Sequence, residues 1–449
     1  MLFINVIISA CLMLSNMGNG PISEGIGGYS PSAGVAASRE RFSDDKFGIF
    51  IHWGVYSMLA RGEWVMNQEN IKYEDYSIFP GCFFPSHFNA AEWVGAIKAS
   101  GARYITITSR HHDGFSMFGT KMSPYNIVDA TPFGRDILKE LADECHKQGI
   151  GLNFYYSLVD WGRGDYPQGS SGKGLGKNPA DADYGSYLDF MCGQIRELLT
   201  NYGPVGCIWF DGDWDQIAKG RDGKDPEITF DWQYGRLYSL IHSLQDSCLV
   251  GNNHHRKPIP GEDIQIFERD VPGENLAGYG RTSYVSRSLP LETCKTMNGS
   301  WGFDVRDHNY KTPSQLIRIL VSAAGRNANL LLNIGPRPDG RIPEEALERL
   351  SAIGKWLSAN GETIYGTRST MLPPQKWGVV THKADRIFLH VTEYPEGGVI
   401  RLPFPVRAKS VTEYGSSKNV AFKRAKDSFT VMVPSGADCS TDYIIQILK

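Results

Sequence analysis

An aspartate stands directly after a buried apolar strand in residues 205–215, which read VGCIWFDGDWD. Asp211 ends the apolar run, Gly212 follows it, and Trp209 and Trp214 flank the turn. A carboxylate at the C-terminal end of a barrel strand points into the mouth of the barrel. Carboxylates beside flat indole rings are typical of sugar-cleaving sites, because the oxygen can attack and the rings can stack on pyranose faces. Helix capping is the alternative role for a single aspartate at such a turn.

Other predicted strand ends carry similar side chains, which favours the catalytic interpretation of Asp211. Histidine, tryptophan, tyrosine, asparagine or glutamate follows strand after strand. These residues are His52, Glu63, Trp64, His111, His112, Tyr155, Tyr156, Asn252, Asn253, His254, His255 and Glu268. In a barrel of parallel strands all such ends meet at one rim. We therefore predict an active site at that rim.

The elements that must position these residues alternate between strand and helix from about residue 45 to residue 360. Strands are predicted at residues 47–51, 103–108, 151–156, 205–210, 248–251, 264–267 and 329–334. Helices are predicted at residues 90–100, 136–148, 184–200, 232–245, 315–324 and 344–360. Repeated units of this spacing predict an α/β fold, a TIM-like (β/α) barrel, over residues 36–364.

The pattern changes near residue 372, where short strands alternate with proline and glycine turns. The predicted strands cover residues 387–391, 398–402, 429–433 and 443–447. Short strands of this kind predict a C-terminal antiparallel β-sandwich over residues 370–449.

Composition and the N-terminus limit the partners and the compartment. A net charge of −3 over 449 residues gives no reason to expect nucleic acid as a partner. Residues 2–14 are almost wholly apolar and have the length of a signal-peptide core, so residues 1–20 are predicted to be an export signal. The expected location is periplasmic, secreted or surface-anchored. Ile8–Cys11 also resembles a lipobox, which would make Cys11 a lipid anchor. No later segment is apolar enough to span a membrane.

Motifs spread along the chain carry a family resemblance. GIFIHWG, GEW, SRHHDGF, WFDG, LETCKTMNGSWGF and NLLLNIGPRPDG together resemble glycoside hydrolase family 29, the α-L-fucosidases. The resemblance runs in order from about Lys46 to Ile364. It implies a (β/α) barrel followed by a β-sandwich, a retaining mechanism with an aspartate nucleophile and a glutamate acid/base, and no cofactor.

The function implied is that of an exo-acting α-L-fucosidase acting on a fucosylated oligosaccharide or glycoconjugate. A related exo-glycosidase with another sugar specificity is one alternative. A non-catalytic fucose-binding protein on the same fold is the other.

The resemblance also assigns roles to individual residues. Asp211 fits the family's nucleophile, and Asp213 and Asp215 in the outgoing turn are its competitors. The residues that resemble the family's fucose-binding set are His52, His111, His112, Glu63, Trp64, and Tyr155 or Tyr156. Trp301 corresponds to an aromatic residue under the fucose methyl group.

Two assignments stay open at the level of sequence. The acid/base needs a glutamate with a raised pKa about 5 Å from Asp211. Glu268 at a strand end is preferred, Glu292 is second and Glu274 is third. Several relatives have an arginine in the strand after the nucleophile, and either His254 or Arg256 takes that role here.

Four histidines raise the question of a metal. His111 and His112 are adjacent in the sequence, as are His254 and His255. Adjacent residues of an extended strand point to opposite faces, and the spacings of zinc sites are absent. No metal is therefore predicted.

Overall fold

The computed structural model describes residues 28–217, 230–280, 284–370, 372–416 and 418–449. The predicted export signal at residues 1–20 and the predicted lipid anchor at Cys11 lie outside the described residues. Within the described part of the chain, no helix is both long and apolar enough to cross a bilayer.

Eight parallel strands form the first sheet, in the order β5-β4-β3-β2-β1-β8-β7-β6. The edge strands β5 and β6 approach each other through a parallel bridge between Gly251 and Ile264, so the sheet is a nearly closed barrel. The strands are β1 Phe47–Ile51, β2 Tyr104–Arg110, β3 Gly151–Ser157, β4 Cys207–Asp211, β5 Leu249–Asn252, β6 Gln265–Glu268, β7 Leu291–Thr296 and β8 Ala328–Ile334. This arrangement confirms the predicted barrel.

Helices lie before, between and after the strands of the barrel. They are α1 Ala33–Asp45, α2 Val65–Gln68, α3 Tyr73–Tyr76, α4 Ala90–Ala99, α5 Ile137–Gln148, α6 Tyr184–Asn201, α7 Tyr234–Leu244, α8 Pro313–Gly325 and α9 Glu344–Asn360. Local sequence sets their ends: Asp136 accepts a hydrogen bond from the backbone of Lys139 at the start of α5, and Gly149 ends that helix with a φ of 73°. Thr312 and Gln315 form a capping box at the start of α8.

Two antiparallel sheets follow the barrel and pack face to face, which confirms the predicted sandwich. The larger sheet has the order β13-β16-β11-β10-β9 and the smaller has the order β12-β15-β14. The strands are β9 Arg368–Ser369, β10 Gly378–His382, β11 Arg386–Val391, β12 Val399–Leu402, β13 Ser410–Glu413, β14 Phe422–Arg424, β15 Phe429–Met432 and β16 Tyr443–Leu448. Leu389 and Ile447 of one sheet and Ile400 and Val431 of the other belong to one buried core.

Strand β7 is the barrel element that hydrophobic patterning did not predict. It reads LETCKT, and Glu292 and Thr293 are buried with their polar groups. A strand whose inward positions are polar lacks the apolar run by which buried strands are recognised. The buried carboxyl group of Glu292 interrupts the apolar pattern, and for this reason the strand was not predicted.

Candidate active site

A cavity of about 550 Å³ opens at the C-terminal ends of the barrel strands. Of the residues singled out in the sequence, the cavity is lined by His52, Glu63, Trp64, His111, His112, Tyr155, Asp211, His255, Glu268 and Trp301. Strand register explains this convergence, since parallel strands of one barrel end at the same rim.

Asp211 is the last residue of β4 and projects into this cavity. The Tyr155 hydroxyl donates to its Oδ2 at 2.8 Å. Its Oδ1 accepts from Nδ2 of Asn253 at 3.3 Å and from Nε1 of Trp214 at 3.4 Å. Gly212 follows with a φ of 103°, and a Cβ there would lie 2.6 Å from the side chain of Val159. The glycine therefore lets the chain turn away at once and leaves the carboxylate at the rim.

Glu268 ends β6 and faces the same cavity. Its Oε2 accepts from Nδ2 of Asn253 at 2.8 Å and lies 3.4 Å from Nε2 of His255. One amide nitrogen therefore contacts both carboxylates. The two contacted oxygens of Asp211 and Glu268 cannot be more than about 6 Å apart.

The protonation of the two carboxyl groups is coupled. Burial raises the pKa of Asp211 to about 6, and the charge of Glu268 adds to the effect. Burial also acts to raise the pKa of Glu268, but His255, Asn253 and Arg269 outweigh it and hold that pKa below its ordinary value. The expected raised pKa of a glutamate acid/base is wrong for Glu268, because a histidine and an amide stabilise its charged form.

Glu292 has the raised pKa expected of an acid/base, but its carboxyl group does not reach the cavity. Burial raises its pKa to about 7. Its two oxygens accept from the Tyr104 hydroxyl at 2.7 Å and from Nε1 of Trp209 at 2.8 Å, and only 1 % of the residue is exposed. Trp209 lines the cavity and Glu292 does not, so this carboxyl group lies beneath the cavity floor. The Glu292 carboxyl group therefore holds the side chains of Tyr104 and Trp209 in place.

Glu274, the third candidate, pairs with Arg326 at 2.6 Å and does not line the main cavity. The competitors of Asp211 are also occupied elsewhere. Asp213 accepts from Arg256 at 2.6 Å. Asp215 is buried and accepts from the Tyr166 hydroxyl at 2.6 Å.

Three buried histidines line the inner wall. His52 Nδ1 lies 2.6 Å from Asn333 Oδ1, and His112 Nδ1 lies 2.7 Å from Ser157 Oγ. Burial lowers the pKa of His52 and of His112 to about 3, and that of His111 falls well below its ordinary value for the same reason. All three rings are therefore neutral at physiological pH, so each can donate one hydrogen bond and accept another.

His111 and His112 both face the cavity, with ring centroids 4.2 Å apart. The argument that adjacent histidines point to opposite faces is therefore wrong here, because both residues follow the end of β2 and the chain is no longer extended. The other pair separates, since His254 is buried against Glu262 at 2.8 Å. In the described ranges, no group of three or more His, Cys, Asp or Glu side chains could hold a metal ion.

Trp301 and the loop with Glu63 form the wall next to His52. The Trp301 ring lies 5.2 Å from the His52 ring and 6.0 Å from the Phe50 ring, measured between centroids. Glu63 accepts from the backbone nitrogen of Gly302 at 2.8 Å, which ties the two loops together. A Cβ at Gly335 would lie 2.8 Å from the backbone of Gly302, so the end of β8 also fixes the Trp301 loop.

Comparison with known proteins identifies the family. The family model described as Alpha-L-fucosidase matches residues 28–362, about three quarters of the chain. The chain belongs to the α-L-fucosidase family. It is therefore a member of a glycoside hydrolase family, as its motifs indicated.

Individual fucosidases resemble the chain over most of its length. An alpha-L-fucosidase of Branchiostoma floridae is 30% identical over 410 residues, which are 83% of this chain and 82% of the relative. The solved structure of alpha-L-fucosidase isoenzyme 1 from Paenibacillus thiaminolyticus is 32% identical, with a TM-score of 0.78, over 93% of this chain and 99% of that one. The alpha-L-fucosidase structure from Vibrio sp. strain EJY3 is 28% identical with a TM-score of 0.80, over 92% and 72% of the two chains.

Not every residue that the fucosidase resemblance suggested reaches the cavity. Tyr156 donates to Gln194 at 2.8 Å on the outer side of β3, while its neighbour Tyr155 contacts Asp211. His254 is buried on Glu262, and Arg256 is held by Asp213. Neither therefore lines the main cavity of this fucosidase-family chain.

Several cavity residues were not assigned to the site from the sequence, and two of those named next stood in the predicted ring of strand ends. Among them are Asn253, His255, Trp214 and Arg269. Asn253 and His255 follow β5, so their position at a strand end was the available signal. Trp214 was noted only as a flanking ring, and Arg269 follows Glu268 directly.

Proposed function

We propose that this chain is an exo-acting α-L-fucosidase that removes terminal α-L-fucose from glycans with retention of configuration, using Asp211 and Glu268. The observation that carries the proposal is the shared contact of both carboxylates with Asn253 Nδ2. The resulting limit of about 6 Å between their oxygens lies below the separation of about 6.5–9.5 Å in inverting enzymes. It is compatible with the roughly 5–5.5 Å of retaining enzymes.

The proposed reaction has two displacements. An oxygen of Asp211 forms a bond to the anomeric carbon while the bond to the leaving oxygen breaks and Glu268 gives that oxygen its proton. The fucosyl ester of Asp211 remains and the aglycone leaves as an alcohol. Glu268, now ionised, takes a proton from water as the water oxygen attacks the anomeric carbon. Free fucose leaves, Asp211 is released as a carboxylate, and Glu268 is protonated again.

Neighbouring donors support these roles. The hydrogen bonds from Tyr155 and Asn253 lower the pKa of Asp211 against the effect of burial, and so favour the ionised nucleophile. The same bonds orient its oxygens. The hydrogen bond with His255 favours the ionised form of Glu268, which is the form that the second displacement needs.

The buried wall suits one sugar ring. We assign the neutral histidines His52, His111 and His112, with Glu63, to the fucose hydroxyls, because each can exchange hydrogen bonds with a hydroxyl group. We assign Trp301 and Phe50 to the methyl group that distinguishes a 6-deoxy sugar. Trp64 stacks on Trp214 with centroids 5.3 Å apart and closes the side of the cavity.

The decisive experiment compares 4-nitrophenyl α-L-fucoside hydrolysis by wild type, Asp211→Ala and Glu268→Ala, with and without azide. Both substitutions should reduce hydrolysis strongly. Azide should rescue Asp211→Ala as β-fucosyl azide and Glu268→Ala as α-fucosyl azide, because it replaces the nucleophile in one variant and water in the other.

Glu274→Ala is the matched control, since that carboxylate lies outside the main cavity. It should give no azide product, because Glu274 lines only a neighbouring cavity and any loss of rate there would not be one that azide rescues. Full hydrolysis by Asp211→Ala would exclude Asp211 as the nucleophile. A panel of aryl glycosides tests the sugar: faster turnover of another glycoside would assign the chain to an exo-glycosidase of that specificity.

We further propose that the chain is exported, on the apolar residues 2–14 and the residues around Cys11. Mass spectrometry of the mature N-terminus tests this proposal. Cleavage near residue 20 would support a signal peptide, and a diacylglyceryl adduct on Cys11 would support a lipid anchor. An intact Met1 terminus would contradict export by this route.

A further inference from the structure

The cavity has a second, more open wall beside Glu268. The loop that follows β6 contributes Arg269, Gly278, Tyr279 and Gly280 to the lining. Tyr279 is 44 % exposed, while the aromatic rings deeper in the cavity, such as Tyr155 and Trp209, are almost wholly buried. Among the described lining residues, Tyr279 is thus the aromatic side chain that is most available to solvent.

Tyr279 lies on the Glu268 side of the site. Its ring faces that of His255, with centroids 5.8 Å apart and planes inclined at 34°. His255 Nε2 in turn lies 3.4 Å from Oε2 of Glu268. The phenol ring therefore stands one side chain away from the proposed acid/base.

Open space continues past Glu268. A second cavity of about 320 Å³ shares His255, Glu268 and Gly280 with the main cavity. Glu268 thus stands between a deep chamber with buried histidines and a shallower space that is lined in part by Asp270, Gly273 and Asn275. An acid/base must reach the oxygen that joins the two halves of its substrate, so the groups on its two sides bind different halves.

We propose that Tyr279 is the aromatic platform for the leaving sugar, so that the preferred aglycone is a pyranose whose C–H face stacks on the phenol ring. This inference rests on the proposed fucosidase function and adds to it the residue that binds the leaving sugar. A flat ring that is exposed beside the reacting bond offers apolar area to a sugar face and keeps its hydroxyl in water. Simple alcohols and fluoride offer no such face.

The test compares α-L-fucosyl fluoride with fucosyl-galactose and fucosyl-N-acetylglucosamine disaccharides, using wild type and Tyr279→Ala. The fluoride needs only the deep chamber and the two carboxylates. The kcat/KM for the best disaccharide should fall at least about tenfold more than the kcat/KM for the fluoride. Tyr279→Phe should restore most of the loss, because it keeps the ring.

Leu276→Ala is the matched control, since Leu276 is 86 % exposed on the same loop and lines neither cavity. It should leave the ratio of the two kcat/KM values at the wild-type level. Equal losses on both substrates in Tyr279→Ala would overturn the proposal and assign the ring to the support of His255. A wild type that hydrolyses the fluoride but none of the disaccharides would overturn the sugar aglycone and leave the fucosidase function standing. A wild type inactive on every fucoside would instead contradict the proposed function itself.

Discussion

The amide nitrogen of Asn253 donates a hydrogen bond of 2.8 Å to Oε2 of Glu268. The same nitrogen lies 3.3 Å from Oδ1 of Asp211. One neutral donor thus sits between two carboxylates that would otherwise repel each other in a buried site. It fixes their separation and lowers the pKa of both groups relative to a site without it.

Replacement of Asn253 by alanine should therefore change both the rate and the pH dependence. Loss of a hydrogen bond to a charged group costs about 1.5–3 kcal/mol, so kcat/KM on a fucosyl disaccharide should fall about tenfold to a hundredfold. Both limbs of the pH profile should move to higher pH. Asn252→Ala is the control, because Asn252 donates to Tyr238 at 2.9 Å and does not line the cavity. An unshifted profile in Asn253→Ala would show that the amide does not couple the two groups.

The wild-type pH profile should be a bell with its maximum on the acidic side. The lower pKa is that of Glu268, which lies below its ordinary value of 4.5. At a pH below this pKa both groups are protonated, and Asp211 cannot attack. Above the upper pKa of about 6, both groups are ionised and no proton is available for the leaving oxygen. The pair shares one proton between these limits, and the reactive form carries it on Glu268.

The measurement is kcat/KM against pH with a disaccharide, whose alcohol leaving group needs a proton. The rate should fall as pH rises through about 6. His255→Gln should move the acidic limb of the profile to higher pH, since His255 lowers the pKa of Glu268. A maximum above pH 7 would contradict the proton distribution that the structure indicates.

Glu292 should act on stability and not on the chemistry. Its pKa is raised from 4.5 to about 7 by burial, so the folded state holds a proton that the unfolded state has already lost between these values. The free energy of unfolding should therefore fall as pH rises from about 4.5 through about 7. Glu292→Gln should remove this part of the pH dependence, as measured by chemical denaturation across that range.

The activity of Glu292→Gln separates it from the acid/base. Azide should give no fucosyl azide with Glu292→Gln, whereas Glu268→Gln, the same change at the carboxyl group that lines the cavity, should yield the α-azide. An α-azide product from Glu292→Gln would instead identify Glu292, the candidate with the raised pKa, as the acid/base.

Sequence reasoning located the rim of the site because strand ends can be recognised without a structure. Asp211 and Glu268 both follow apolar runs, and the register of parallel strands brings such ends together. The same reasoning could not choose between Tyr155 and Tyr156. Successive residues of a strand face opposite sides, so an error of one residue in the alternation exchanges the inward and outward side chains. It also could not choose among residues 252–256, because the chain leaves the strand there and His255 adopts a φ of 57°.

Strand β7 marks a second limit. Glu292 lies inside the barrel only because Tyr104 and Trp209, distant in sequence, supply donors for both of its oxygens. No local pattern contains that information, so a buried polar strand is hard to distinguish from a loop. The barrel class was predictable from the remaining strands, since their alternation with helices predicts a parallel sheet and their number favours its closure into a barrel.

Tyr155→Phe gives the most direct test of the nucleophile's surroundings. The Tyr155 hydroxyl donates to Asp211 at 2.8 Å and lowers its pKa, so its removal should raise that pKa above about 6. A smaller share of the singly protonated enzyme then has Asp211 ionised. The kcat/KM should fall about tenfold or more, and the alkaline limb should move to higher pH.

Tyr156→Phe is the matched control, because it also removes a tyrosine hydroxyl from β3, but one that donates to Gln194 outside the cavity. It should lower the melting temperature and leave both limbs in place. Equal kinetic losses in the two variants would mean that Tyr155 acts through packing of β3 and not through its hydrogen bond to Asp211.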